Sequence, residues 1–169
     1  MRKEEVVEHI RSAFGGSRCP PPGRIVYDSS GSHAEAQQVA RHFGGRDWGD
    51  VDSKSILAYD DAADASAALS FMSPEGFRYY LPAFLLFILE QEEKAGLIAA
   101  STISKLAPWS DPDDEQMTRF CNERLVQFSD MERQAIVQFL QYTREHDTGS
   151  LSGEELDRAL QYWKSFRQG

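Results

Sequence analysis

Residues 73–89 read SPEGFRYYLPAFLLFIL and contain the most apolar stretch of the chain. The opening Ser, Pro and Glu are typical of a helix start, because they suit the N-cap, the first helical position and the positive end of the helix dipole in turn. Inside a helix, Pro82 would remove one hydrogen bond and clash with the carbonyl group of Arg78. The sequence therefore predicts a kink or break at Leu81-Pro82, with a second apolar helix over 83–89.

Helix signals also dominate the rest of the chain. Apolar residues recur at helical spacing over 6–14 and 34–43, and the alanine-rich residues 60–72 favour a helix because alanine has the highest helix propensity. Residues 97–106 fit a helix or a strand. The remaining predicted helices cover 111–128, 131–146 and a last segment that begins after Ser152.

Two capping boxes, in which a Ser is followed three residues later by a Glu, begin the last two helices at Ser129 and Ser152. These two helices are predicted to form a hairpin whose short loop contains Gly149. Together, the patterns predict a mainly α fold: a compact single-domain bundle of six to eight helices over residues 1–169. One short strand is also possible near residues 24–27.

The composition excludes several functional classes. The chain has 169 residues, 41 % of them hydrophobic, which is typical of an ordinary globular protein. Its net charge of −9 argues against a nucleic-acid partner, because phosphate binding needs a basic surface. Acids near the N-terminus argue against a signal peptide, and the apolar residues 79–89 are about half of the roughly 20 needed to cross a bilayer. We therefore expect a cytoplasmic protein that does not bind membranes, with Cys19 and Cys121 as reduced thiols.

The negative charge is concentrated in two segments. Residues 45–75 contain two bases against seven acids, or −5, and residues 111–123 contain one base against five acids, or −4. One explanation is structural, because acids are favoured at helix N-termini. The other is functional, because an acidic surface attracts a basic partner and accelerates its association.

Under the functional explanation, these acids contact the partner, and Trp48 anchors it, since tryptophan is enriched at interface centres. The alternative for Trp48 is a side chain that fills the core beneath its loop. The candidate partner-binding residues are Asp47, Trp48, Asp50, Asp52, Asp60, Asp61, Asp64, Asp111, Asp113 and Asp114.

A metal site is the enzymatic alternative. Residues 60–64 match D-D-x-x-D, the pattern with which all-α prenyl-diphosphate enzymes hold magnesium, and carboxylates at this spacing lie near one face of a helix. Those enzymes are far longer and carry a second acidic motif, so a solvated acidic turn is the competing interpretation. A small metal-dependent hydrolase would need Asp60, Asp61 and Asp64 to face Asp111, Asp113, Asp114 and Glu115 across a pocket.

Residues 71–85, FMSPEGFRYYLPAFL, resemble the S/T-P-E-x-F-R-Y-Y-L-P signature of an uncharacterised bacterial family of small soluble proteins. The similarity extends to residues 46–48 and 131–142, about two thirds of the chain. The resemblance implies a shared fold and no catalytic residues. In this stretch, Arg78 is free to pair with a nearby acid, and Tyr79 to present its hydroxyl to a partner or a buried acceptor.

The function expected from these observations is a non-enzymatic protein-binding domain that uses an acidic surface to hold a basic protein. Its sharpest form is an immunity protein that neutralises a basic bacterial toxin by covering the toxin's active site. No catalytic residue and no cofactor is expected. The alternatives are the metal-dependent hydrolase and a scaffold domain with no ligand.

Overall fold

The computed structural model describes residues 1–28, 30–147 and 151–166. These residues form nine α-helices, which confirms the mainly α class and exceeds the expected maximum of eight by one. The helices are α1 Lys3–Phe14, α2 Ala34–Phe43, α3 Ser53–Ala62, α4 Ala65–Phe71, α5 Pro74–Glu90, α6 Gly96–Leu106, α7 Glu115–Leu125, α8 Asp130–His146 and α9 Gly153–Ser165, with short 3₁₀ turns at Pro22–Arg24 and Trp48–Asp50.

Helix α5 lies at the centre of the fold. Helices α1, α3, α6 and α7 and the Trp48–Asp50 turn pack directly against it. Around this inner group, α8 packs on α1 and α9, and α4 packs on α6. The buried apolar side chains of all nine helices form one cluster. The single-domain organisation of residues 1–169 stays a prediction for the chain as a whole.

The predicted break at Leu81-Pro82 is wrong, because α5 continues through Pro82 to Glu90. Thirteen of the fourteen residues from 76 to 89 are buried, and Arg78 is the exception. A proline inside a helix costs about 3 kcal/mol. Each large apolar side chain contributes about 1.5–3 kcal/mol on burial. The packing of this segment therefore outweighs the local penalty of its proline.

The alanine-rich segment forms two helices rather than one. Helix α3 ends at Ala62, and Asp64 caps α4 by accepting hydrogen bonds from the backbone N–H and the hydroxyl of Ser66, at 2.9 and 2.6 Å. Between them, Ala63 has φ −144° and ψ −121°, outside the helical region. An aspartate cap at Asp64 therefore interrupts a segment whose alanines favour one continuous helix. Residues 97–106, which fit either structure, lie in helix α6.

Residues 24–27 all lie in the described part of the chain and form no strand. Val26 makes only an isolated antiparallel bridge with Met72, and the Ser73 N–H donates to the Ile25 carbonyl at 2.8 Å. Residues 24–27 run past the short link between α4 and α5, residues 72–73, and form a backbone bridge with it at one residue pair only. A strand needs a longer extended partner, and the helices on both sides of the link do not provide one.

The capping box predicted at Ser129 is confirmed, with Ser129 and Glu132 each accepting the backbone N–H of the other. At Ser152 the hydroxyl accepts the Glu155 N–H, while the Glu155 carboxylate accepts a hydrogen bond from Ser104 of α6 at 3.2 Å. Helices α8 and α9 pack together as predicted. The connecting loop with Gly149 lies outside the described residues.

Gly76→Ala tests the close approach of α5 to the segment before α2. A Cβ atom at Gly76 would overlap the carbonyl oxygen of Ile25. We expect the free energy of unfolding to fall by about 1–3 kcal/mol, as in other overpacked sites, measured by urea denaturation. Gly96→Ala is the control, because that Cβ would meet no atom within 4 Å. Equal effects of the two substitutions would contradict the close approach.

Candidate functional site

Six of the candidate aspartates follow one another along the 48–50 turn, α3 and the start of α4. All six are exposed. The ten residues of α3 span about 15 Å, so these exposed carboxylates are distributed along that length of the chain. We call this exposed set the acidic strip; it consists of Asp47, Asp50, Asp52, Asp60, Asp61 and Asp64.

Three carboxylates of the strip cap helices. Asp47 accepts the N–H of Gly49 at 2.8 Å, and Asp52 accepts the N–H of Ser55 at 2.9 Å, just as Asp64 does at α4. Acids that looked like loop residues in the sequence therefore begin short helical segments. This supports the structural explanation for their positions.

Capping does not neutralise the strip. Asp60 accepts only the backbone N–H of Ala65, at 2.9 Å, and the side chains of Asp50 and Asp61 have no hydrogen-bond partner among the described residues. None of the six carboxylates forms an ion pair within 4 Å in that part of the chain. The strip is therefore exposed, and none of its carboxylates is in direct contact with a cation among the described residues.

Trp48 lies in the core and not on the strip. Its side chain is 6 % exposed, and its indole N–H donates to the carbonyl oxygen of Phe14 at 3.2 Å. The alternative in which tryptophan fills the core is the one that the structure shows. A partner on the strip would meet carboxylates rather than the indole, so Trp48 leaves the set of candidate contact residues.

The second acidic segment, Asp111, Asp113, Asp114 and Glu115, precedes and begins α7. Asp114 caps this helix by accepting the N–H of Met117 at 3.0 Å, and Asp111 accepts the N–H of Asp113 at 3.0 Å. Asp111 and Asp113 are exposed, whereas Asp114 is partly buried. Local capping therefore explains part of this segment as well.

Lys105 of α6 and Cys121 of α7 each interact electrostatically with one of the two acidic segments. Burial lowers the pKa of Lys105 to about 8, and the charge of Asp64 opposes this shift. Burial raises the pKa of the Cys121 thiol, and the charge of Asp114 raises it further. Lys105 and Cys121 also influence each other. Helix α4, which Asp64 caps, packs on α6, which carries Lys105.

The metal-dependent hydrolase required seven carboxylates from the two segments to converge. All seven belong to the described residues, and among those residues no three His, Cys, Asp or Glu side chains are placed to hold a metal ion. Several of the carboxylates instead accept backbone N–H groups at helix starts. The D-D-x-x-D pattern therefore marks a helix end and the next cap, and the structure offers no metal centre there.

The lowered pKa of Lys105 predicts a pH dependence of stability. Below about pH 8 the ammonium is charged in both the folded and the unfolded state, and its burial penalty is fully present. As pH rises from about 8 towards the ordinary value of 10.5, the folded state loses the proton first, so the unfolded state binds more protons and stability increases.

We therefore expect the contribution of Lys105, the difference in free energy of unfolding between the wild type and Lys105→Met, to rise from about pH 8 towards 10.5. Cys121 acts in the opposite direction above its ordinary pKa of 9, but it is present in both proteins. Urea denaturation at closely spaced pH values measures it. Lys54→Met is the control, because Lys54 is exposed on α3 and should leave the slope unchanged. An equal slope in the wild type and in Lys105→Met would show that Lys105 is not the group responsible.

A cleft of about 760 Å³ lies between the proline-rich segment after α1 and the first half of α5. Its volume is within the range of about 300–1,000 Å³ typical of small-molecule sites. Three arginines and one glutamate line it, which leaves +2 on a chain whose net charge is −9. We call it the arginine cleft; its charged residues are Arg18, Arg24, Glu75 and Arg78, and its walls include Pro20, Pro21, Pro22 and Tyr79.

A buried carboxylate holds one of these arginines in place. Nε and Nη2 of Arg78 donate to both oxygens of Glu132, at 2.9–3.2 Å, and the Glu132 side chain is only 2 % exposed. The Ser129 N–H also donates to Glu132 at 2.7 Å, and the Ser17 hydroxyl donates at 3.4 Å. One carboxylate thus caps α8, pairs with α5 and contacts the segment after α1.

Glu132→Gln should lower the free energy of unfolding by about 2 kcal/mol, because Gln lacks the charge and the second acceptor oxygen that serve Arg78 and the Ser129 N–H, and hydrogen bonds to a charged group contribute about 1.5–3 kcal/mol. Asp157→Asn is the control: it breaks the Arg144–Asp157 pair, whose side chains are 51 % and 60 % exposed, and such pairs contribute about 0–1 kcal/mol. Guanidinium denaturation measures both. A loss no greater at Glu132 than at Asp157 would contradict the importance assigned to the buried pair.

Comparison with known protein families matches residues 2–167 to a family of unknown function (DUF6714). The chain belongs to this family. The expected membership in a family without an assigned activity is confirmed at that level, over more of the chain than the expected two thirds. The signature in residues 71–85 and the bacterial source stay predictions. No curated protein and no solved structure matches the chain.

In the described part of the chain, no helix is suited to crossing a bilayer.

The contacts of Arg78 and Tyr79 agree with the expectations from the sequence, whereas the arginine cleft does not follow from them. Arg78 pairs with an acid as expected, and the Tyr79 hydroxyl donates to Asp47 at 3.4 Å. The cleft and Arg18 were not anticipated. The signal that could have indicated them is the run Pro20–Pro22, which cannot continue α1 and leaves an extended segment beside the helices.

Proposed function

We propose that the protein is a non-enzymatic, cytoplasmic binding domain that uses the acidic strip to hold a basic protein partner. One observation carries this proposal: the six aspartates of the strip are exposed and have no ion-pair partner among the described residues. Self-repulsion among such carboxylates opposes folding, so a cationic partner would relieve it.

The capping contacts support this function as well as the fold. Asp52 and Asp64 each use an oxygen to accept a backbone N–H, which holds the carboxylate in place at the start of a helix. A carboxylate that is already ordered loses less conformational entropy when it meets a cation. Capping and partner binding therefore use the same side chains without competing.

The most specific form of the proposal is an immunity protein that neutralises a basic bacterial toxin by covering its active site. Opposite charges on the two surfaces would accelerate their encounter and favour the correct partner over neutral proteins. The strip needs no catalytic group for this role. The scaffold alternative, in which the acidity serves only solubility, predicts no dependence of binding on the strip.

Two variants with equal changes of net charge test the strip. The strip variant replaces Asp50, Asp52, Asp61 and Asp64 with Asn, which caps helices as well as Asp and so removes charge while keeping the caps. The control variant replaces four exposed glutamates of α1, α8 and α9 with Gln. These are Glu4, Glu8, Glu145 and Glu154.

The wild type and both variants are immobilised and exposed to a lysate of the source organism, and the retained proteins are identified by mass spectrometry. Association rates of the recovered partner are then measured at low and high salt. We expect a basic protein that binds the wild type and the control variant, and whose association with the strip variant is at least about tenfold slower and less sensitive to salt. For a toxin, co-expression of the strip variant should fail to restore growth.

Three results would contradict the proposal. The recovered partner could bind the strip variant at the wild-type rate, it could lack a basic surface, or no partner could be retained by any of the three proteins. The last result favours the scaffold alternative.

A further inference from the structure

The arginine cleft is a second charged surface, of opposite sign to the acidic strip. Its four charged side chains sum to +2, although the chain carries −9. Arg24 pairs with Glu75 at the rim. Arg78 pairs with Glu132, which does not line the cleft but lowers the net charge there to +1. Arg18 is therefore the cleft arginine without an ion-pair partner among the described residues.

These two arginines still have donors to offer. Glu132 engages Nε and Nη2 of Arg78, and Nη1 has no partner among the described residues, while 39 % of the side chain remains exposed. Arg18 is exposed and has no hydrogen-bond or ion-pair partner in the same part of the chain. One guanidinium is therefore held in a fixed orientation, and a second, unpaired one lines the same cleft.

The surroundings favour a ligand with a charged end and an apolar body. Pro20–Pro22 and the ring of Tyr79 form apolar walls beside the two guanidinium groups. The hydroxyl of Tyr79 is directed to Asp47. Guanidinium groups bind carboxylate and phosphate oxygens with short, charge-assisted hydrogen bonds. The fixed position of Arg78 lowers the entropy that such binding loses.

We propose that the arginine cleft binds the oxyanion group, carboxylate or phosphate, of a small organic acid. Arg18 and Nη1 of Arg78 contact the oxyanion, and the proline segment covers the apolar part of the ligand. Glu132 positions Arg78 and does not touch the ligand. This site is independent of the acidic strip, since its ligand is an anion and its residues belong to other segments.

The probes are benzoate and phenyl phosphate, which share a ring and differ in the oxyanion, and benzyl alcohol, which has the ring without the charge. Each is titrated into ¹⁵N-labelled full-length protein at constant ionic strength, and backbone amide shifts are followed by NMR. We expect saturable shifts for at least one anion at the backbone amides of residues 16–19 and 75–79, since Pro20–Pro22 have no N–H. Binding by benzoate alone indicates a carboxylate ligand, and binding by phenyl phosphate alone indicates a phosphate ester.

Arg18→Gln is the decisive variant, because Arg18 has no contact whose loss would unfold the protein. It should weaken anion binding by at least about tenfold, the effect of losing one charge-assisted contact, and leave the unfolding temperature unchanged. Arg119→Gln removes the same charge from an exposed position on α7, outside the cleft, and should leave the affinity within about twofold of the wild type.

The proposal is overturned if neither anion gives saturable shifts at these residues, or if benzyl alcohol binds as tightly as the anions. Equal loss of affinity in Arg18→Gln and Arg119→Gln would also overturn it, because the effect would then come from net charge and not from the cleft.

Discussion

The burial of α5 on all sides is the constraint on which the rest of the structure depends. A helix with almost no polar face cannot lie at a protein surface, so it must be enclosed by other elements. Helices α1, α3, α6 and α7 and the 48–50 turn provide this enclosure. The same burial explains why Pro82 stays inside a continuous helix, since a local loss of about 3 kcal/mol is small beside the packing of its neighbours.

Arg78 is the only residue between 76 and 89 that is not buried. It supplies the cation for the Glu132 carboxylate, which is only 2 % exposed and also caps α8. Breaking such a pair is costly because a buried charge would remain alone. One carboxylate therefore ties the central helix, α8 and the segment after α1 together, and fixes one wall of the arginine cleft.

The two charged surfaces meet where the Tyr79 hydroxyl donates to Asp47. Tyr79 lines the cleft, and Asp47 begins the acidic strip. Their origins differ. The strip follows from local chemistry, because aspartates cap successive short helices along one stretch of chain. The cleft follows from tertiary packing, because Arg18 and Arg78 are distant in sequence and come together only when the proline segment lies against α5.

Local sequence patterns determined the helical class, the cap at Ser129, the helix start at Ser73 and the two acidic segments, since each depends on neighbouring residues and on apolar periodicity. Only the tertiary structure decided the cases in which distant residues compete with a local preference. Pro82 stays in a helix because other helices enclose it, and Trp48 is buried because its indole reaches the Phe14 carbonyl. The Arg78–Glu132 pair likewise joins residues 54 positions apart. Such contacts arise from packing between helices, and no pattern within a single segment specifies them.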